Sequence, residues 1–213
     1  MIGLHPRPLA RWRTGIVLAI AVLGVVADPN NTAHAHLVTS GAGPFFDGVA
    51  HFFVSLDDLL VVVAASLFAG FLGKASARWV LLSLPLAWWV GMLLGVNFAM
   101  PWNSSDWATG ITLLIAGLVL AANPTLPVWG VAVMVVVLGL LHGSWNGAAM
   151  RATQTSTIAS FGIVTAASVV TLLFSATAVS VQTPWHKIAL RVIGSWIAAF
   201  GMLAIAWHFR PAA

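Results

Sequence analysis

The chain has 213 residues, 60% of them hydrophobic and only 7% charged, with a mean hydropathy of +0.98. An ordinary soluble domain carries about 25% charged residues, so this composition cannot cover a water-exposed surface and reads as an integral membrane protein. The pI of 11.3 does not mark a nucleic-acid binder, because the net charge is only +4 and the imbalance comes from five Asp and no Glu, not from a Lys/Arg patch. The absence of Cys removes disulfides, thiolate metal ligands and a thiol nucleophile. Eleven Trp and no Tyr suit a chain whose aromatic anchors sit at a lipid interface.

The N-terminus reads as a targeting segment. Arg7, Arg11 and Arg13 precede an apolar run over residues 15–27, too short to span comfortably and of the length of a signal h-region. Ala33-His34-Ala35 supplies a small-x-small cleavage site. Residues 1–35 are therefore expected to be a signal peptide, cleaved after Ala35, and residues 36–213 a single six-helix transmembrane domain. Cleavage leaves His36 as the new N-terminus, with an amino group and an imidazole that can chelate a metal together.

Six apolar stretches come after it, each close to the roughly 20 residues a helix needs to cross the hydrocarbon core. They cover residues 46–72, 79–97, 107–122, 128–147, 157–181 and 188–207. Gly73-Lys74, Pro101-Trp102-Asn103, Asn123-Pro124, Arg151-Ala152-Thr153 and Pro184-Trp185 separate them. The expected fold is an all-α membrane protein whose short connections make sequence neighbours pack as antiparallel neighbours. With residue 36 outside, Lys74, Arg78, Lys187 and Arg191 fall on the cytoplasmic side and Arg151 and Arg210 on the outer side, a positive-inside bias. Gly91 and Gly95, and Gly139, Gly143 and Gly147, form small-residue ladders at four-residue spacing; these read as close helix packing.

The polar residues inside the first and fourth stretches carry the functional reading. On one continuous helix Asp47, His51, Ser55 and Asp58 share a face and Asp57 points elsewhere. Each buried acid costs about 2.5–3.5 kcal/mol on insertion scales, so adjacent acids near mid-membrane face protein or water, and an ion path is the usual reason. His142 and Asn146 stand one turn apart at the end of the fourth stretch. A rise of about 1.5 Å per residue puts His51 and His142 at matched depth and Asp58 about 10 Å deeper than His51.

The order of a signal peptide, a mature N-terminal His, Asp-Gly-x-x-His-x(5)-Asp-Asp-Leu-Leu over Asp47 to Leu60, and a later His-Gly-x-x-Asn-Gly resembles the HupE/UreJ family. That family comprises six-helix membrane proteins associated with hydrogenase and urease clusters and regarded as nickel or cobalt permeases. Against its first motif, His-Pro-x-x-Gly-x-Asp-His-Leu-Leu, His51, Asp57, Leu59 and Leu60 match, while Phe52, Ser55 and Asp58 replace Pro, Gly and the second His. Against its second, His-Gly-x-x-His-Gly with a nearby Glu, His142, Gly143 and Gly147 match, while Asn146 and Ala149 replace the second His and the Glu. The family's acid early in the third helix falls near Ala108.

The resemblance implies a permease for a divalent transition metal, nickel or cobalt, carried as substrate with no permanently bound cofactor. His51, Asp57, Asp58, His142, Asn146, Asp47 and His36 are the candidate metal residues. Two fewer imidazoles make the set richer in oxygen, which weakens nickel preference relative to harder ions. The expected location is the bacterial inner membrane, multi-pass, with both mature termini outward. The lipid bilayer and metalloenzyme maturation proteins are the expected partners, with no nucleic acid. The alternative is a non-transporting membrane accessory or assembly protein of a metalloenzyme system. No enzyme is expected: Asp57 and Asp58 are adjacent instead of on two helices, as an intramembrane aspartyl protease requires, and no Ser stands with a paired base.

Overall fold

A computed structural model describes residues 40–98, 106–181 and 183–209. Among them are seven helices and no strand: α1 (Pro44–Val54), α2 (Leu56–Leu72), α3 (Lys74–Asn97), α4 (Asp106–Ala122), α5 (Val128–Ala152), α6 (Thr157–Ser180) and α7 (Pro184–His208). The expected signal segment, its cleavage site and His36 lie outside the described residues. Each expected apolar stretch is helical. Four helices (α3, α5, α6 and α7) are long and apolar enough to cross a membrane, and α1 with α2 makes a fifth span if the bent pair counts as one. The remaining helix, α4, has 17 residues, about 25 Å at the usual rise against a hydrocarbon core of about 30 Å.

The first expected span is not one continuous helix. It breaks at Ser55, where φ is −74° and ψ is 86°, and the two halves meet at 75°. The break has a local cause. Ser55-Leu56-Asp57-Asp58 is a helix-start pattern: Ser55 holds the N-cap position without a side-chain capping bond, and two acids occupy the first turn of α2, where the positive end of the helix dipole offsets part of the burial of negative charge. Backbone pairing survives: Ser55 N–H donates to His51 O at 2.9 Å, and Leu59 N–H donates to Ser55 O at 3.0 Å. Gly73 then turns the chain from α2 into α3 in one residue, at a φ of +116° that an L side chain rarely adopts.

Beyond the break, α2 is apolar all round. Val61 to Gly70 are buried without interruption, as expected of a helix surrounded by others. It packs against α1, α3, α4, α5, α6 and α7. Sequence neighbours otherwise do not pair as expected. The extensive interfaces are α3 with α5, α4 with α7, and α6 with α1 and α2, and none of α3/α4, α4/α5, α5/α6 or α6/α7 forms a packing interface. Short connections hold helix ends together, but glycine grooves decide which faces meet. A Cβ on Gly143 would lie 2.1 Å from the Trp88 carbonyl oxygen, and one on Gly95 would lie 2.1 Å from that of Ser144. The packing reading of the α3 and α5 ladders therefore holds. A second lock, missed in the sequence, joins Gly110 and Gly117 of α4 to Gly201 and Gly194 of α7, at the seven-residue spacing of a left-handed crossing.

The outer surface is apolar. On α3, Trp79, Leu82, Leu86 and Leu93 are exposed, and on α7 so are Trp185, Trp196, Phe200 and Trp207. Such a surface is stable against lipid and not against water.

Candidate metal centre

The break in the first span builds the site. It lets the last turn of α1 and the first turn of α2 meet the same point on α5. Asn146 joins them: its amide Nδ2 donates to Asp58 Oδ2 at 2.8 Å and to His142 O at 2.9 Å, while its Oδ1 lies 3.2 Å from His51 Nε2. Rotating the amide would turn its oxygen toward the Asp58 carboxylate and a carbonyl, three acceptors facing one another, so the network fixes its orientation. His51 Nε2 then donates to Asn146 Oδ1 and carries a proton. Ser55 Oγ lies 3.5 Å from the same nitrogen, at the limit of a hydrogen bond.

Asp58 Oδ1 meets His142 Nδ1 at 2.7 Å, and both residues are buried, with His142 at 0% exposure. The other ring nitrogen, Nε2, lies 2.9 Å from Thr112 Oγ1 on α4. Thr112 has one hydroxyl proton and donates it to Thr109 O at 2.7 Å, so it accepts from His142 Nε2–H. A second proton therefore lies on the Asp58–His142 contact. Asp57 stands beside Asp58 in the first turn of α2, where backbone N–H groups lack helical partners.

Asp57, Asp58 and His142 each offer one ligand atom, and these atoms all lie within 4.8 Å of one another. With metal–oxygen and metal–nitrogen bonds of about 2.0–2.2 Å, three ligands of one ion stand about 3.3–3.8 Å apart. The three atoms therefore close on an ion with movements of up to about 0.7 Å each. The donor set, two carboxylates and one imidazole, suits a first-row divalent ion. Aromatic rings wall the imidazole: Trp145 stands 4.9 Å from it and Trp88 5.5 Å, with Phe52 packed on Trp88 at 6.2 Å. The Trp88 Nε1 donor is buried without a partner among the described residues.

Several expected placements change. Asp58 does not lie about 10 Å deeper than His51, because the 75° bend folds both side chains onto Asn146. Asp57 does not point away; it faces Asp58 and His142. His51 approaches only through Asn146, outside the converging trio. Asp47 is not part of the cluster: its Oδ1 accepts from the backbone N–H and hydroxyl of Ser40 at 2.5 and 2.6 Å, tying the start of α1. Thr112 was missed in the sequence. Its signal is faint, one hydroxyl a helical turn after Ala108 on a face that packs toward the core.

The class is therefore a multi-pass α-helical membrane protein with a buried carboxylate–imidazole cluster at a helix break. Residues 25–204 match the HupE / UreJ protein family, and the chain belongs to that family. No curated protein and no solved structure matches it.

Proposed function

We propose that the protein is a permease for a divalent transition-metal ion of the nickel or cobalt class, with the ion passing Asp57, Asp58 and His142. The convergence of three ligand atoms within 4.8 Å, on helices otherwise apolar enough to span a bilayer, carries this reading. Two acids and an imidazole are expensive to bury in such a setting, and ion passage is the usual compensation. An arriving cation replaces the proton held between Asp58 and His142, as ligation of imidazole and carboxylate requires. His51 and Asn146 hold the trio in place. Family membership supports the same substrate class. The six-span topology, the cleaved signal and the inner-membrane location with outward termini belong to this proposal.

One observation favours an accessory role without transport. The network is closed: His142 uses both ring nitrogens, and Asn146 uses its amide hydrogens and oxygen, on protein partners. A closed network can serve only to fix helix packing. Uptake of labelled nickel and cobalt into vesicles separates the two. The permease accumulates ion above empty vesicles, and Asp57→Ala or His142→Ala removes the excess. Vesicles that take up no ion from the unsubstituted protein assign it the accessory role.

A further inference from the structure

The far end of the bundle from the metal centre carries a different feature. Lys74 and Arg78 stand one turn apart in the first turns of α3, both exposed, and neither has an ion-pair partner among the described residues. The first turn of α3 contains no acid. Cations at a helix N-terminus oppose the dipole, so three positive features coincide with nothing negative to offset them. The described acids give no relief: Asp57 and Asp58 sit at the opposite end of α2. Lys187 adds to the same end, its Nζ 5.8 Å from the ring of Phe71 near the end of α2.

Beside the two cations a groove of about 260 Å³ runs between α3 and α6, lined by Lys74, Arg78, Ala77, Leu81, Ala176 and Val179 together with Ser175. Its walls are almost wholly apolar, and Ser175 spends its hydroxyl on Thr171 O within α6 at 2.6 Å. The groove therefore offers no hydrogen-bonding floor for a polar solute. It offers a cationic end and a hydrocarbon slot.

We propose that this groove binds an anionic phospholipid, with the headgroup phosphate between Lys74 and Arg78 and an acyl chain along Ala77, Leu81, Ala176 and Val179. Zwitterionic lipids fit the slot but bring a second cation to an already positive end. Free phosphate satisfies the cations but leaves the slot without a tail. Basic pockets between membrane helices recognise acidic headgroups by this combination.

The test is native mass spectrometry of the full-length protein in detergent with added phosphatidylglycerol, phosphatidylcholine or inorganic phosphate. The unsubstituted protein retains phosphatidylglycerol over phosphatidylcholine, and excess inorganic phosphate does not displace it. Neutralising both cations, Lys74→Gln with Arg78→Gln, weakens retention roughly thirtyfold, from about 1 kcal/mol per basic residue. Ala176→Trp fills the slot, keeps both charges and also lowers retention, so the test stands even if the double variant fails to fold. Lys187→Gln, outside the groove, lowers retention less than neutralising Lys74 and Arg78 together. Equal retention of the two lipids, displacement by inorganic phosphate, or unchanged retention in Ala176→Trp overturns the proposal.

Discussion

Asp58 has two partners with different demands, and a pair of substitutions separates its structural role from its role as a ligand. Asp58→Leu removes the acceptors of both His142 Nδ1 and Asn146 Nδ2, at 2.7 and 2.8 Å, among buried side chains. Each buried donor left unpaired costs about 1–3 kcal/mol, and breaking one side of a buried pair costs about 3–5 kcal/mol in all. Asp58→Asn behaves differently because of the proton count. His142 gives its Nε2 proton to Thr112, so a neutral ring presents a lone pair at Nδ1. The introduced amide can donate to that nitrogen while its oxygen accepts from Asn146 Nδ2. Every bond is kept, at the cost of exchanging charge-assisted bonds for neutral ones, about 1 kcal/mol.

Stability in detergent and ion binding by equilibrium dialysis then give different patterns. Asp58→Leu loses both. Asp58→Asn keeps most of the stability and loses ion binding, because a neutral amide is a far poorer ligand than a carboxylate. Asp58→Asn binding nickel or cobalt as the unsubstituted protein does would remove Asp58 from the ligand set. Asp58→Asn as unstable as Asp58→Leu would refute the proton placement.

Three further outcomes rest on the same geometry. Gly143→Ala puts a methyl 2.1 Å from the Trp88 carbonyl oxygen and destabilises by about 1–3 kcal/mol, while Gly130→Ala, with 3.5 Å to Pro127, does not; equal melting temperatures would discount the α3–α5 lock. Asp58→His combined with Asn146→His restores imidazoles where the family has them and shifts binding toward nickel over manganese, because borderline nitrogen replaces oxygen; an unchanged ratio of affinities counts against the trio as the binding site. Reporter fusions after Lys74 and Lys187 read cytoplasmic and those after Ser104 and Arg151 external, and intact mass shows loss of residues 1–35; a reversed pair or a full-length mass overturns that part of the topology.

Hydropathy alone located the apolar helical stretches among the described residues, because a bilayer demands long apolar runs, but it read α1 and α2 as one helix. It did not reveal which helices touch. That information lies in glycine spacing, and the seven-residue pairs at Gly110/Gly117 and Gly194/Gly201 are less conspicuous than the four-residue ladder of α5. Among the candidate residues, Asp57, Asp58, His142 and Asn146 were legible as polar groups too costly to bury idly. Their arrangement was not. A helical wheel drawn through Ser55 assigns Asp57 to the wrong face and Asp58 to the wrong depth, since periodicity cannot register a single residue leaving the helix. The cue was present as an N-cap pattern inside an apolar run, Ser followed by two acids, overshadowed by the hydrophobicity on either side.

The break and the acids depend on one another, and Ser55 is where this can be tested. Non-helical backbone at membrane depth persists only where it is buried in protein or lines a cavity. Here the start of α2 frees first-turn N–H groups, and Asp57 and Asp58 stand in that turn. The Ser55 hydroxyl contributes little, since it makes no capping bond and reaches His51 only at 3.5 Å. Ser55→Ala should therefore keep the bend, the stability to within about 1 kcal/mol, and ion binding. Deleting Ser55 should not: it removes the one non-helical residue at which the two halves bend, and so carries Asp57 and Asp58 away from His142. Ion binding measured on both variants, with melting temperature as a control for folding, distinguishes backbone geometry from side-chain chemistry. A Ser55→Ala variant that folds but binds as poorly as the deletion would show that the hydroxyl, and not the break, organises the site.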